Sequence, residues 1–358
     1  MNHRYVDQSF WKSKKVFITG HTGFKGSWLS LWLSSMGAEV TGYALAPNTN
    51  PNLFDILNIN SLIFESVFAD IRDLDHLQKA IKIAKPDVVI HMAAQPLVRL
   101  SYTNPVETYS TNVMGTVNLL ESLRPIESVR ASIVVTTDKC YENKEWMWGY
   151  RENDPMGGYD PYSSSKGCSE LVTSAYRQSF YSEKPNSNQI ASARAGNVIG
   201  GGDWSEDRLI PDAIRAFESG SSLRIRNPLA TRPWQHVLEP LSAYLILAQA
   251  LYEDGSLYAT SWNFGPADED NCSVRDVVDL VISEWNSPAK WEKEGNDQPH
   301  EAHFLKLDCS KAYNILGWRP KWSVATAVAK TVEWQKSFNE KNNIQALSLN
   351  QITQFMER

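Results

Sequence analysis

The sequence predicts an α/β protein in which a doubly wound parallel sheet is joined to a smaller mixed α/β region. Three observations lead to this fold class: short apolar runs of strand length, helical stretches between them, and a glycine-rich turn after the first run. Mostly apolar runs are typical of strands buried on both faces of a sheet. Their alternation with helices favours parallel strands joined by right-handed crossovers.

The individual elements follow in chain order. The first strand is predicted at 15–19, and the helix after it at 26–36, where Leu29, Trp32, Leu33 and Met36 recur at helical spacing. Further strands are predicted at 39–45, 87–94, 132–137 and 190–198. Further helices are predicted at 74–84, 105–123 and 162–180. The polar chain from about residue 339 predicts a loosely attached terminal helix.

Composition excludes several classes of protein. The chain has 358 residues, 42% of them hydrophobic and 21% charged, which is ordinary for a soluble globular enzyme. A net charge of −6 gives no basic field for nucleic acid or anionic lipid. The four cysteines are widely spaced without a CxxC pair, so we expect neither a metal site nor a disulfide framework. Without an apolar leader or membrane span, a reducing cytoplasm is the default compartment.

The glycine-rich turn predicts a dinucleotide site. Residues 20–26 read GxxGxxG between a strand and a helix, where the backbone can approach a pyrophosphate at the helix N-terminus. A glycine cluster can also mark an ordinary turn, but the strand-turn-helix context favours a Rossmann-type cofactor site. The residues predicted to bind the cofactor here are Gly20, Thr22, Gly23, Phe24, Lys25 and Gly26.

Two further positions bear on the cofactor. Asp70 follows the third strand and could accept a hydrogen bond from an adenine amino group, whereas Asp73 is also a candidate N-cap of the next helix. The end of the second strand, at 43–46, carries neither an acid for ribose hydroxyls nor an arginine for a 2′-phosphate. The absence of that cation favours NAD over NADP.

A second cluster predicts the chemistry. Thr137 and the Tyr162-x-x-x-Lys166 pair are the groups needed to move a hydride between a sugar alcohol and a nicotinamide. Lys166 lies one helical turn from Tyr162, so we expect its charge to lower the pKa of the phenol. Asp138 and Lys139 add a candidate acid and a candidate base. These two groups would allow water to be eliminated from an oxidised sugar.

The two added groups set a structural condition. Adjacent strand residues point to opposite faces, so Asp138 and Lys139 can both serve only if the strand has already ended. An acid that holds its proton near neutral pH needs a raised pKa, which predicts a partly desolvated site around Asp138. Lys139 acts as a base only when its amine is neutral. The alternative is that both residues form a solvated turn.

The substrate side is less defined. Asn197 precedes a glycine-rich loop at 200–202, whose donors could hold a diphosphate. Arg208 and Arg232 are candidate phosphate partners, because a guanidinium fork matches phosphate oxygens. His236 is a candidate site residue, although a packed or capping histidine is an equal alternative.

The sequence resembles the extended short-chain dehydrogenase/reductase family along nearly its whole length, and within it the nucleotide-sugar 4,6-dehydratases. The resemblance rests on the glycine loop, the Tyr162 and Lys166 pair, and the segments at 91–94, 194–198, 232–237 and 316–320. It implies NAD as cofactor and Thr137, Asp138, Lys139, Tyr162 and Lys166 as catalytic residues. It adds to the cofactor contacts Ile71, Ala93, Ala94, Asn112, Tyr162 and Lys166, and to the substrate contacts Gln95 beside Asn197, Arg208, Arg232 and His236.

The resemblance also implies an activity. C4 of a nucleotide-linked glucose is oxidised, water is lost across C5 and C6, and the hydride returns to C6. The segments at 42–45, 51–54 and 137–141 imply CDP-glucose as substrate, on a bacterial route to deoxysugars of O-antigen and lipopolysaccharide. A 4-epimerase, a 4,6-dehydratase for dTDP-glucose or GDP-mannose, and a non-catalytic dinucleotide sensor are the alternatives. Residues 105–123 and 162–180 would pair into a four-helix bundle, giving a homodimer or homotetramer.

The expected domain organisation follows from these assignments. Residues 13–198 and 232–266 are expected to form the NAD-binding domain. Residues 199–231 and 267–325 are expected to bind the nucleotide sugar, and 326–358 to form a C-terminal helical segment.

Overall fold

The computed structural model describes residues 3–181, 188–286, 289–295 and 302–357. The expected domain ranges also include 182–187, 287–288, 296–301 and 358, which lie outside the described residues. The strands are β1 Lys15–Thr19, β2 Glu39–Ala44, β3 Glu65–Phe68, β4 Val88–His91, β5 Ala131–Val135, β6 Gln189–Ala195, β7 Asn197–Ile199, β8 Leu223–Ile225, β9 Thr231–His236, β10 Ser261–Phe264, β11 Asn271–Ser273 and β12 Trp291–Lys293. The α-helices are α1 Gln8–Trp11, α2 Phe24–Ser35, α3 Leu53–Ile56, α4 Ile59–Leu62, α5 Leu74–Ala84, α6 Val98–Thr103, α7 Pro105–Tyr109, α8 Gly115–Leu123, α9 Pro161–Tyr176, α10 Leu209–Glu218, α11 Leu238–Asp254, α12 Val274–Trp285, α13 Val324–Asn339 and α14 Ile344–Met356.

The central element is a parallel sheet. Within the described ranges it has seven strands in the order β10-β6-β5-β4-β1-β2-β3, and every neighbouring pair is parallel. The chain order reverses between β1 and β4, which leaves a crevice beyond the carboxyl ends of those strands. The predicted doubly wound fold is confirmed. Shorter strands form two further sheets in the described chain, β11-β9-β7 and β12-β8.

Helices cover both faces of the central sheet because its strands are apolar on both sides. Val16 and Ile18 of β1 belong to a core cluster shared with α2, α11 and α14. Phe17, which points the other way, packs into a cluster shared with α5 and α8. Among the described residues no helix is both long and apolar enough to cross a membrane.

The strand predicted at 190–198 is two strands in different sheets. β6 pairs with β5 and β10 in the central sheet, whereas β7 pairs with β9 in the smaller one. Gly196 separates them, and a Cβ atom there would lie 2.3 Å from Cγ of Pro233. Gly196 and Asn197 interrupt the apolar run, but periodicity alone could not reveal that the strands on either side have different partners. The prediction of one continuous strand was therefore wrong.

The terminal helix is not loosely attached. In α14, Ile344, Ile352 and Phe355 are buried, and the ring of Phe355 lies 5.8 Å from that of Trp32 in α2. The indole Nε1 of Trp32 donates to Sδ of Met356 at 3.3 Å. The polar residues at the start of this segment concealed the apolar face that follows, so the prediction of loose attachment was wrong.

The two long helices flanking the site are interrupted. Between α7 and α8 the chain forms a π-helix at Ser110–Met114, and α9 continues into another at Arg177–Tyr181. π-Turns inside helices are frequent at functional sites, because the extra residue redirects side chains. The first of them contains Asn112, one of the predicted cofactor residues.

Candidate active site

The glycine loop is packed too closely for side chains at two of its three glycines. Gly20 has a φ of +79°, and a Cβ there would lie 2.8 Å from the backbone nitrogen of Ala93. A Cβ on Gly26 would lie 2.1 Å from the carbonyl oxygen of Gly20. Gly23 is the N-cap of α2 and has 3.5 Å of room. The loop thus exposes the N-terminus of α2 to the crevice, as a pyrophosphate site requires.

The outer part of the predicted cofactor site is polar. The hydroxyl of Thr22 donates to the carbonyl oxygen of Leu45 at 2.8 Å. Asp70 forms an ion pair of 2.6 Å with Arg72 at the surface, while Ile71 beside it is buried. Asp73 accepts from the backbone N–H of His76 at 3.0 Å, which confirms the predicted helix cap.

The strand before Thr137 ends ahead of the candidate acid and base, and Thr137 caps the turn that carries them. β5 stops at Val135, and Asp138–Cys140 forms a 3₁₀ turn. The condition for Asp138 and Lys139 both to serve is therefore met, because the turn replaces strand alternation. The hydroxyl of Thr137 donates to Oδ1 of Asp138 at 2.9 Å.

The second carboxyl oxygen of Asp138 is the unusual atom of this turn. Asp138 is 1% exposed, and within the described chain its Oδ2 is buried without a hydrogen-bond partner. Burial raises the pKa of Asp138, although the Lys139 charge and the Thr137 hydroxyl oppose the shift. The predicted desolvated carboxyl is thus present in the structure.

Tyr162 and Lys166 project from the first turns of α9, which begins at Pro161 after an Asp160 cap. Burial raises the pKa of Tyr162 to about 12, and a hydrogen bond with Thr137 opposes the rise. Burial lowers the pKa of Lys166 to about 8, and its ammonium donates to the carbonyl oxygen of Val135 at 3.3 Å. The expectation that Lys166 brings the phenol pKa below its usual value is not met here, because burial dominates.

Lys25 extends the cofactor loop into the same cleft. Its side chain remains partly exposed, yet burial of the ammonium lowers its pKa to about 7, and the charges of Arg208 and Lys166 act in the same direction. Its Nζ lies 5.9 Å from the ring centre of Tyr244. The cleft therefore collects several cations around one buried carboxyl.

Gln95 and Asn112 shape the loop after β4. The side-chain amide of Gln95 donates to Oγ1 of Thr108 at 2.9 Å and to the carbonyl oxygen of Leu97 at 3.0 Å. The amide of Asn112 donates to Oγ of Ser165 at 2.8 Å, and its oxygen accepts from the backbone N–H of Gln95. Gln95 therefore joins the loop that carries Ala93 and Ala94 to α7, and Asn112 joins it to α9.

Two of the predicted substrate residues, Arg208 and Arg232, act on candidate catalytic residues through their charges, whereas Asn197 lies at the crossing between the sheets. Arg208 pairs with Asp203 at 2.9 Å, and Arg232 is 4% exposed with its Nη1 donating to the carbonyl oxygen of Thr231. The charge of each acts on a candidate catalytic residue, Arg208 on Tyr162 and Arg232 on Asp138. Asn197 begins β7, half-buried at the crossing between the sheets.

His236 lies outside this cluster. It is fully buried, with ring centres of Trp322 and Trp28 at 4.9 and 6.2 Å. Burial lowers its pKa to about 3. Its Nδ1 accepts from the backbone N–H of Leu238. The packed and capping alternative describes His236, and its assignment as a substrate contact is corrected.

Sequence reasoning missed a buried ion pair beneath the turn. Glu170 of α9 and Arg194 of β6 lie 2.8 Å apart, each with a side chain 3% exposed. Glu170 stands one helical turn beyond Lys166, a spacing that places both on one face of the helix. A charged residue on the buried face of α9 was the available signal, but its partner on β6 could be found only from the fold.

Together these groups can carry out acid–base chemistry on a bound alcohol. A phenol and a hydroxyl meet at one point, and a carboxyl with a free oxygen lies beside them. The glycine loop opens towards the same crevice.

Comparison with known proteins gives consistent results. The sequence profile of the family described as GDP-mannose 4,6 dehydratase matches residues 17–331. The chain is 54% identical over 354 residues to CDP-glucose 4,6-dehydratase of Salmonella typhimurium, covering 98% of each chain. It is 26% identical to human dTDP-D-glucose 4,6-dehydratase, covering 93% of each.

Solved structures support the fold. A dTDP-glucose 4,6-dehydratase from Streptomyces venezuelae, crystallised with NAD bound, has a TM-score of 0.77 at 22% identity, covering 93% of this chain and 99% of that one. A UDP-glucose 4-epimerase from Thermotoga maritima has a TM-score of 0.76 at 19% identity, covering 90% and 99%. At these identities the likeness concerns the fold alone.

Proposed function

This chain belongs to the GDP-mannose 4,6-dehydratase family of extended short-chain dehydrogenases/reductases, and we propose that it is an NAD-dependent hydro-lyase acting on CDP-glucose. The products are CDP-4-dehydro-6-deoxyglucose and water. The choice of nucleotide rests on the 54% identity to the Salmonella enzyme over nearly all of both chains. The single structural observation that carries the reaction type is the buried carboxyl of Asp138, whose free Oδ2 lies in the turn directly after Thr137.

The residues of the glycine loop fit a dinucleotide. Side chains are excluded at Gly20 and Gly26 by contacts of 2.8 and 2.1 Å, so the backbone at these two positions can approach a bound pyrophosphate closely. In the proposal Gly20, Thr22, Gly23, Phe24, Lys25 and Gly26 hold the pyrophosphate side, and Asp70 and Ile71 the adenine side. Ala93, Ala94 and Asn112 shape the loop beneath the nicotinamide. NAD, when bound, supplies the acceptor for the C4 hydride and the donor for the hydride at C6.

The first proton leaves the 4-hydroxyl of the sugar. Tyr162 accepts it, and the Thr137 hydroxyl holds the same oxygen in line. Burial raises the pKa of Tyr162 to about 12, while the hydrogen bond with Thr137 and the charge of Arg208 oppose the rise and favour the phenolate. A 4-ketone makes the C5 proton acidic, and Lys139 is the proposed base that removes it.

Asp138 then donates a proton to the departing 6-hydroxyl. Burial raises the pKa of its carboxyl and so favours the protonated form, and Oδ2 has no partner in the described chain, whereas Oδ1 already accepts from Thr137. Asn197, Arg208, Arg232 and the loop residue Gln95 are the proposed substrate side, with the two arginines as charge partners of the diphosphate.

The wider biological setting is also a proposal. We infer a bacterial cytoplasmic enzyme on a route to deoxysugars of O-antigen and lipopolysaccharide. The expected domain division, with 13–198 and 232–266 binding NAD and 199–231 and 267–325 binding the sugar, remains our working assignment.

A homodimer or homotetramer is proposed from an exposed apolar surface. Large apolar side chains project into solvent from the two helical regions predicted to pair: Val106 is 81% exposed, Leu171 60% and Met114 50%. Apolar surface of this kind marks an interaction site in a soluble protein. Analytical ultracentrifugation of the wild type and of Leu171→Glu tests it; a monomeric wild type contradicts the proposal.

Proton NMR of CDP-glucose incubated with the protein and NAD in deuterated water tests the activity. We expect a new C6 methyl signal with deuterium at C5. Recovery of unchanged CDP-glucose would contradict the choice of cytosine as the nucleobase of the substrate, and dTDP-glucose and GDP-mannose would be tried next. CDP-galactose without a methyl signal would indicate a 4-epimerase instead.

A further inference from the structure

A buried carboxylate lies beneath the candidate catalytic turn and joins three elements. Oε1 of Glu170 in α9 accepts from the hydroxyl of Thr136, which follows β5. Oε2 accepts from the hydroxyl of Ser192 at 2.6 Å and from Nη2 of Arg194 at 2.8 Å, both in β6. Although burial opposes it, the Arg194 charge and these hydrogen bonds hold the pKa of Glu170 below its usual value. The carboxylate is therefore charged and its geometry is fixed from three directions.

The same ion pair reaches the other end of the turn. Nη1 of Arg194 donates to the phenolic oxygen of Tyr141 at 2.7 Å and to the carbonyl oxygen of Glu152 at 3.1 Å. Tyr141 directly follows the 3₁₀ turn that holds Asp138, and its hydroxyl donates to Oδ1 of Asn263 at 2.6 Å. Hydrogen bonds to the ion pair therefore hold the turn on both sides, at Thr136 before it and at Tyr141 after it.

We propose that Glu170 is a positioning residue for oxidation at C4. It anchors the helix that carries Tyr162 and Lys166 to the strand end that carries Thr137, so that the phenol and the hydroxyl meet at one oxygen of the sugar. This inference rests on the proposed function, but it concerns a residue that contacts neither substrate nor cofactor in that mechanism. A misplacement of about 1 Å between reacting groups can cost roughly a hundredfold in rate.

The carboxylate, one helical turn from Lys166 on the same face of α9, also favours the charged form of that lysine. Burial lowers the pKa of Lys166, and Glu170 counteracts that effect. Four titratable groups interact electrostatically with Lys166, each from a different element. They are Glu170 on α9, Cys140 in the turn, Lys25 at the start of α2 and His91 on β4. Lys25 and the buried, neutral His91 do not stabilise the ammonium, whereas Glu170 and, to a smaller extent, Cys140 favour its charged form.

Two sets of variants test the proposal. Thr136→Val removes one donor to Glu170 while it keeps shape and leaves the ion pair intact, and Thr136→Ser restores the hydroxyl. We expect Thr136→Val to lower kcat by about tenfold or more, with the KM for CDP-glucose and the affinity for NAD changed less than twofold. Thr136→Ser should recover most of the rate. A wild-type kcat in Thr136→Val, or equal losses in both variants, would overturn the proposal.

The effect of Glu170 on the titration of Lys166 can be measured without catalytic turnover. Lysine labelled with ¹³C at Cε is titrated by NMR in the wild type and in Glu170→Gln, with the Lys166 signal assigned by its loss in Lys166→Met. We expect a lower titration midpoint for Lys166 in Glu170→Gln, and an unchanged midpoint overturns this part. Because Glu170→Gln leaves the Arg194 charge buried without its partner, its fold is checked by circular dichroism. If it unfolds, Tyr141→Phe replaces it as the probe of the Arg194 side, with lower kcat at unchanged KM expected and a wild-type kcat counting against the inference.

Failure of the proposed function would be distinguishable. A wild type that gives no methyl product from CDP-glucose contradicts the substrate or reaction, whereas the NMR midpoint of Lys166 still decides whether Glu170 controls its charge.

Discussion

Replacing Asp138 with asparagine isolates the elimination step from the oxidation step. Asparagine keeps the shape of the side chain and an oxygen that can accept from Thr137, as Oδ1 does now at 2.9 Å. What it lacks is the acidic proton on Oδ2, the atom that has no partner in the described chain. Loss of a positioned general acid costs about 10²–10⁴ in rate, which is roughly 3–5 kcal/mol of activation free energy. We expect about 10³ for methyl formation, with C4 oxidation within a few fold of wild type.

The assay follows both steps in one experiment. Absorbance of reduced nicotinamide in a single turnover reports oxidation at C4, and proton NMR reports the C6 methyl group. Glu239→Gln is the matched control, because Glu239 is also fully buried with a pKa raised by burial, to about 7, but its carboxylate accepts from Lys321 and Trp322 away from the turn. Methyl formation at the wild-type rate in Asp138→Asn would refute the acid role.

The same variant carries a stability signature with a defined sign. Burial raises the pKa of Asp138 in the folded state above its unfolded value of about 3.9. The folded state then binds the proton more tightly, so the carboxyl lowers stability as the pH rises above about 4. Asp138→Asn should therefore have a higher Tm than wild type at pH 7, and the difference should vanish near pH 4. A lower Tm at pH 7 would show that the charged form is stabilised instead.

Four further variants test other parts of the site. Gly26→Ala should lose about 1–3 kcal/mol of stability, because its Cβ would meet the carbonyl oxygen of Gly20 at 2.1 Å. Gly23→Ala, whose Cβ would have 3.5 Å of room, should keep the wild-type Tm. Equal Tm values for the two variants would contradict the packing argument. Lys139→Met should abolish deuterium incorporation at C5 while C4 oxidation continues, and normal incorporation would exclude Lys139 as the base. Lys25→Met should weaken NAD binding in a calorimetric titration, yet raise the Tm at neutral pH, because burial lowers the pKa of Lys25 to about 7 and its folding penalty fades only towards pH 10.5. Tighter NAD binding, or a lower Tm at pH 7, would count against that assignment.

Much of the fold was predictable because local pattern and tertiary environment agree. The strand at 15–19 and the helix at 74–84 end where the structure ends them, since apolar runs and the Asp73 cap mark those ends locally. The split at Gly196 was not predictable, because β6 and β7 differ in their partners rather than in residue type. The terminal helix was misjudged for a related reason: its apolar residues find their partners some 300 residues earlier, in α2.

The candidate site was likewise predictable only where local sequence determines it. Motif spacing alone brought Thr137, Tyr162 and Lys166 into one cluster, and the structure places them around one cleft. Motif spacing could not predict how deeply each side chain is buried or which residues surround it. The pKa of Tyr162 follows burial more than the neighbouring charge, and His236 proves to be a core residue although it stands in a family motif. Both outcomes depend on contacts from distant parts of the chain.

The attachment of α14 to α2 has a consequence for how this protein folds during synthesis. The contacts between Trp32 and Met356, and between Leu57 and Gln345, join positions separated by 324 and 288 residues. Contacts of such long range form slowly, because a large loop must close first. Part of the apolar surface of α2 therefore stays uncovered until the chain as far as α14, some 300 residues later, has left the ribosome. At about 5–20 residues per second this interval lasts on the order of tens of seconds, a period in which a chaperone could act.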